Sequence, residues 1–126
     1  MGNRETIEIA GLSHQAPIPN GARIGNIVFS SAISGRDTET NKLPADPDKQ
    51  AEVLFRNIRT FMQQAGGTLS DIGRMTVYLK EERYRESINK EWQKMFPHET
   101  DRPARHAILA SVRGEMLFQI ELIAVL

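Results

Sequence analysis

Two segments near the C-terminal end carry side chains that could do chemistry. One is Arg105, in Arg102-Pro103-Ala104-Arg105-His106-Ala107, and the other is Glu121, in Phe118-Gln119-Ile120-Glu121-Leu122-Ile123-Ala124-Val125-Leu126. A guanidinium offers two parallel donors to a carboxylate and so fixes its orientation as well as its position. A carboxylate can orient a water and move its proton when its surroundings lift its pKa toward neutrality, as an apolar strand would. Glu121 interrupts the most apolar run of the chain, where a lone charge buried among Ile120, Leu122 and Val125 would be costly. It must have a partner, sit at a crevice, or hold a shifted pKa. Packing roles compete with both readings. Arg105 could close a salt bridge between subunits, and Glu121 could meet a Lys or Arg at a polar seam, with Gln119 on the same strand face.

Other chemistries find less support. The chain has no cysteine, which removes disulfides, thiolate nucleophiles and Cys-ligated metals together. Its histidines, His14, His98 and His106, show no ligand spacing, so no metal is assigned. Gly66-Gly67 follows a helical pattern and reads as a C-cap rather than a phosphate cradle. A Ser-His-Asp arrangement has nothing behind it except the residue types. His14 and His106 could titrate near neutral pH, although a lone loop histidine is more often simply exposed, and His106 points away from Arg105 on an alternating strand.

At 126 residues the chain is expected to form one domain spanning residues 1–126. A hydrophobic content of 40% with 25% charged residues is ordinary for a globular protein and argues against disorder. Sixteen basic residues balance sixteen acidic ones, so no net field draws the protein to nucleic acid or to an anionic membrane. No apolar signal run opens the sequence and no apolar stretch is long enough to span a bilayer, which predicts a cytoplasmic protein.

The elements that must position Arg105 and Glu121 are legible in outline. Thr6–Ile9 reads as a short strand, and the prolines of Ser13-His14-Gln15-Ala16-Pro17-Ile18-Pro19-Asn20-Gly21 force a loop. Arg23 to Ile33 reads as strand with a possible turn at Gly25-Asn26. A polar connection from Gly35 ends at Asp46-Pro47, an N-cap followed by proline at the first helical position. Ala51, Leu54, Phe55, Ile58, Phe61, Met62 and Ala65 then recur at helical spacing until Gly66. Met75–Leu79 alternates as a strand, and a second helix carries Tyr84, Ile88 and Trp92 until Pro97 stops it. Two last strands, Arg105–Val112 and Met116–Leu126, are joined at Arg113-Gly114-Glu115.

Helices crossing between strands imply an α+β fold, a mixed β-sheet with two helices packed on one face. Runs such as Ile27-Val28-Phe29 and Ile120-Glu121-Leu122-Ile123 put apolar residues on both faces, and two helices can cover only one. A second copy of the chain is the expected cover for the other.

These segments have a family resemblance. Gly25-Asn26-Ile27-Val28-Phe29-Ser30-Ser31, Ala65-Gly66-Gly67, Asp71-Ile72, Thr76-Val77-Tyr78-Leu79, Ile88-Asn89, Arg102-Pro103-Ala104-Arg105 and Ile120-Glu121-Leu122-Ile123-Ala124-Val125 fall in an order and spacing similar to the Rid (YjgF, endoribonuclease L-PSP) family, from about Ile18 to Leu126. The resemblance implies a chorismate-mutase-like fold and a homotrimer with clefts for a small carboxylate substrate between subunits. It also implies hydrolysis of 2-imino or enamine acids to 2-keto acid and ammonia, without a cofactor. Arg105 matches the family's carboxylate-binding arginine and Glu121 its water-positioning acid. Asn89 falls where the family places an asparagine near the pocket, although on helix geometry it could equally be solvated. Ser31 and Ala32 match a cleft-lining Ser-Gly element.

The sequence departs from the family pattern at two cleft positions. Ile18 stands where many members carry tyrosine, and Ala107 where cysteine is frequent. Both changes make the implied cleft less polar and draw a larger amino-dienoate, such as 2-aminomuconate, into consideration as substrate. A non-catalytic carboxylate-binding regulatory module is the alternative from another class, and retention of Arg105 with Glu121 speaks against it. The ribonuclease of the family's older label would need a basic surface that a net charge of zero does not promise.

Overall fold

Alternation along the last strand defines the inside of the molecule: Phe118, Ile120, Leu122 and Ala124 are buried, whereas Gln119, Glu121, Ile123 and Val125 face the other way. The structure is a computed structural model describing residues 3–12 and 16–126, so His14 lies outside the described residues. In chain order the elements are β1 (Arg4–Ile7), β2 (Gly21–Ile24), β3 (Ile27–Ser30), β4 (Ile33–Ser34), α1 (Pro47–Ala65), β5 (Ile72–Leu79), α2 (Arg85–Met95), β6 (Ala104–Leu109) and β7 (Phe118–Val125). They form one mixed sheet of order β1-β2-β3-β7-β5-β6, with β4 also paired to β7. Only β5 and β6 are parallel, as a pair linked through a crossover helix, α2, must be. Neither helix of the described residues is long and apolar enough to cross a membrane.

Two expectations about strands need correction, and a third is extended. The first strand begins and ends earlier than Thr6–Ile9, at Arg4–Ile7, because Ile9 leaves the ladder and its N–H donates to Asn20 Oδ1 at 2.7 Å. The run Arg23–Ile33 has its turn at Gly25-Asn26, where the sequence allows one, and is interrupted again after Ser30. Gly25, at φ 60°, turns β2 into β3, and Ser31 leaves the sheet to donate its N–H to Asn20 O. The last two strands are joined at Arg113-Gly114-Glu115 but are not neighbours. β6 is committed to β5 by its crossover helix, so β7 enters on the far side of β5.

Helix α1 begins and ends as its sequence predicts. Asp46 caps it by accepting the Lys49 N–H, Pro47 occupies the first turn, and Gly66 closes it at φ 82°. Its predicted apolar stripe is buried, joined by Val53 and by two polar residues, Gln50 and Asn57. Asn57 donates to the carbonyls of Ser34 and Arg36, fastening the segment after β4 to the helix. Helix α2 buries Ile88, Trp92 and Met95, and Trp92 meets Phe96 edge to face at 4.9 Å. Both helices pack with Val28, Met75, Val77, Leu79, Phe118 and Ile120 in one core on one side of the sheet.

Among the described residues nothing covers the opposite sheet face. Ile27 pairs with Val125 and Phe29 with Ile123, and these four side chains keep 39%, 51%, 40% and 41% of their surface exposed. Such an apolar patch is of the kind that marks an association surface.

Candidate functional site

Arg105 is positioned by the edge strand β6 and by the face of α2 that packs beside it. In the parallel register Arg105 lies opposite Met75 and Ala107 opposite Val77, and Met75 and Val77 both point into the helix-covered core. Arg105 therefore projects to the helix side, where its guanidinium lies over the Trp92 ring at 4.9 Å from the centroid. A cation over an indole gains roughly 1–2 kcal/mol when partly desolvated. That attraction leaves the hydrogen-bond donors unused. Nη1 of Arg105 is buried with no hydrogen-bond partner among the described residues. Burial, and then the charge of Arg85, lowers the guanidinium's hold on its proton, although arginine stays charged in any case.

Asn89 and Arg85 stand on the same side of α2 as Trp92, one and two turns before it. The Asn89 side chain is half-buried and makes no hydrogen bond among the described residues. Arg85 is held by Glu82, at 2.5 Å from Nε and 3.0 Å from Nη2. The sheet edge thus presents two guanidinium groups, an amide and an indole together, with Ala107 beside them and, among the described residues, no carboxylate bound to Arg105. An arrangement of this kind can receive an anion carrying planar, bidentate acceptors.

Glu121 belongs to the other face. It pairs with Thr76, whose neighbours Met75 and Val77 occupy the core side, so Glu121 projects onto the face without helices. The premise that it is enclosed by Ile120 and Leu122 does not hold, because strand alternation sends those two to the opposite side. Glu121 is half-buried, and its Oε1 accepts a hydrogen bond of 2.6 Å from the Tyr78 hydroxyl. That bond, more than burial, holds the Tyr78 phenol above its usual pKa. Glu121 lines a hollow with Phe29, Ser30, Arg74, Thr76 and Ile123.

The Ser31-Ala32 element is close to that hollow in sequence but turns elsewhere. The Ser31 hydroxyl donates to Pro19 O at 2.8 Å and anchors the proline loop, while Ala32 is half-buried beside it. It is Ser30 that reaches β7, accepting the Leu122 N–H where β3 has left the ladder. Ile18, on the loop, is 49% exposed. His106 lies opposite Thr76 on the open side of the edge strand. Among the described residues no three His, Asp or Glu side chains converge as they would to hold a metal ion.

Reading the sequence missed Trp92 as the platform of Arg105, Tyr78 as the partner of Glu121, and Ser30 and Arg85 as neighbours. The spacing Arg85, Asn89, Trp92 was a usable signal for a shared helix face. In Met75-Thr76-Val77-Tyr78-Leu79, alternation likewise sets Tyr78 on the polar face of its strand.

By architecture this is a two-layer α+β protein with one mixed sheet, one covered face and an edge strand bearing an arginine that is unpaired among the described residues. Residues 9–126 match the family described as Endoribonuclease L-PSP, and the chain belongs to that family, the Rid family. It is 28% identical over 111 residues to a 2-iminobutanoate/2-iminopropanoate deaminase of Escherichia coli K12, covering 86% of this chain and 87% of that protein. A RutC family protein of Pyrococcus abyssi is 28% identical over 110 residues, with 86% of this chain and 85% of that protein covered. Among solved structures, E. coli TdcF with bound serine superposes with a TM-score of 0.88 at 26% identity, covering 97% of this chain and 98% of that one. RidA from Psychrobacter superposes with a TM-score of 0.87 at 27% identity, covering 97% and 99%.

Proposed function

We propose that the whole chain acts as a single Rid-like domain that hydrolyses 2-imino or enamine carboxylic acids to a 2-keto acid and ammonia. The observation that carries this reading is Arg105, a guanidinium stacked on Trp92 with a buried donor and, among the described residues, no protein anion. A substrate carboxylate would supply the missing partner. The relative named 2-iminobutanoate/2-iminopropanoate deaminase, and the structure of TdcF with bound serine, support a small carboxylate as ligand.

Arg105 and Glu121 project from opposite faces of one sheet, so the reading requires two copies of the chain, Arg105 from one and Glu121 from the next. We infer a homotrimer with a cleft at each seam, formed as the uncovered apolar faces associate. Arg105 fixes the carboxylate, and the imine carbon is then met by a water that Glu121 orients. Water adds to the C=N carbon as its proton passes to the carboxylate. That proton passes on to the nitrogen to give the carbinolamine, and as the C–N bond breaks the hydroxyl proton follows the same route through Glu121 to the departing nitrogen, giving the keto acid and ammonia. Because the imine is already electrophilic, positioning supplies most of the acceleration. Asn89, Ala107, Ser31, Ala32 and Ile18 would line the cleft, and no cofactor is invoked.

Arg85 favours a second reading within the same chemistry. Its charge acts on Arg105, and a dicarboxylic amino-dienoate such as 2-aminomuconate would engage Arg105 and compete with Glu82 for Arg85. The test is to generate imines in place with an amino-acid oxidase, supply the amino-dienoate separately, and follow ammonia and keto-acid release. Acceleration by the chain is expected. Tight carboxylate binding without acceleration of either substrate would replace the enzyme by a regulatory binding module.

A further inference from the structure

Tyr78 has no part in the deaminase reading. Tyr78 and Glu121 lie diagonally across the β5–β7 ladder on the uncovered face, since Tyr78 pairs with Gln119 and Glu121 with Thr76. Their side chains meet at 2.6 Å, Tyr78 donating to Oε1. Arg74 and Ser30 line the same hollow, yet neither bonds to the carboxylate: Arg74 makes no side-chain bond, and Ser30 is engaged with the Leu122 N–H. Among the described residues Tyr78 is the only hydrogen-bond partner Glu121 has, and Oε2 has none.

We propose that Tyr78 is the positioning residue for Glu121, holding Oε1 so that Oε2 is the oxygen presented to the attacking water. This rests on the deaminase reading given above. A glutamate side chain with three rotatable bonds spends most of its time misdirected unless a partner fixes it. One short bond to a ring-borne hydroxyl, rigid in all but one torsion, supplies that restraint before substrate arrives. The same bond raises the phenol's pKa, so Tyr78 remains a donor through the range in which a deaminase would work. A carboxylate with one oxygen occupied and one open also distinguishes the oxygen that accepts a proton from the one that does not.

Tyr78→Phe keeps the ring and removes the hydroxyl. The expected result is a fall in kcat of about ten- to a hundredfold with KM changed by less than about twofold, because carboxylate binding belongs to Arg105. In a Glu121→Gln background the same substitution should cost less than about twofold, since the carboxylate it positions is gone. Unchanged kcat in Tyr78→Phe, or costs that multiply independently, would overturn the proposal. An active parent, an impaired Glu121→Gln and a fully active Tyr78→Phe overturn it alone, whereas an inactive parent overturns the deaminase reading and takes this proposal with it. If Tyr78→Phe does not fold, a crystal structure of the parent with 2-oxobutanoate decides. A water on Oε2 is expected, and Tyr78 turned away with a water on Oε1 refutes it.

Discussion

Arg105 and Glu121 stand on opposite faces of one sheet, with β5 between their strands. Arg105 shares the side of Met75, beneath α2, and Glu121 shares the side of Thr76, away from both helices. The sheet is only one backbone thick, but no side chain passes through it. Chemistry that needs both groups at one substrate has to be assembled from two molecules. The exposed pairs Ile27 with Val125 and Phe29 with Ile123 give the second molecule a reason to be there.

The first prediction concerns that assembly. Sedimentation equilibrium at micromolar concentration should give three times the chain mass of 14.2 kDa. A charge at the centre of the apolar patch, as in Ile123→Lys, should shift the equilibrium toward monomer and abolish activity together. A stable parent monomer would remove the intersubunit site.

Arg105 can be followed by light as well as by turnover. Trp92 is the only tryptophan of the chain and lies under the Arg105 guanidinium, so a carboxylate drawn to Arg105 should change its emission. Titration with pyruvate or 2-oxobutanoate is expected to give a saturable change, absent in Arg105→Ala. Activity should fall by about a hundredfold or more in Arg105→Ala, and nearly as far in Arg105→Lys, which lacks the bidentate fork. Retained turnover in Arg105→Ala would exclude the residue from the mechanism.

Gln50 tests how the loops are fastened. Fully buried on α1, it donates to Pro44 O at 2.8 Å and accepts the Leu117 N–H at 2.8 Å, tying two separate connections to the helix. Gln50→Leu preserves bulk but strands both backbone groups. Stability by urea denaturation should fall by about 2–4 kcal/mol, larger than a surface change and without effect on the denaturant slope. A loss under about 0.5 kcal/mol would mean that water reaches both groups.

Which parts of this were legible in the sequence follows from how local each signal is. The α1 stripe, its Asp46-Pro47 start and its Gly66 end are set by neighbours within a turn or two, and the structure has them where the residues say. Glu121 stood out as a charge in an apolar run, and Arg105 as an arginine at the head of a strand in Pro103-Ala104-Arg105. Their partners did not, because Trp92 and Tyr78 reach them only through strand order, and strand order is not local. The connection at Arg113-Gly114-Glu115 says nothing of pairing, so that β5 separates β6 from β7 was not legible. Glu121 misled for a related reason: its immediate neighbours in sequence are apolar, but alternation makes Tyr78 and Thr76 its neighbours in space.

Acid sensitivity provides the last test, centred on Asp48 in the first turn of α1. Its carboxylate accepts from the Ser87 hydroxyl at 2.6 Å and pairs with Lys90 at 2.9 Å, joining α1 to α2. The Ser87 hydrogen bond first, and then Lys90, holds its pKa below the usual carboxylate value. A pKa lower in the folded than in the unfolded state means that the unfolded chain takes up the proton first as pH falls. The stabilisation is therefore complete above the unfolded carboxyl's pKa, near about pH 4, and is lost on descending through it toward the folded value. Asp48→Asn should lose stability relative to the parent at neutral pH and converge with it at the acid end of a urea series. Its remaining acid slope should come from other depressed carboxyls, Asp37, held chiefly by the Glu39 N–H, and Glu82, held by Arg85. Curves for parent and variant that stay parallel throughout would show that the Asp48 contacts contribute nothing that depends on its charge.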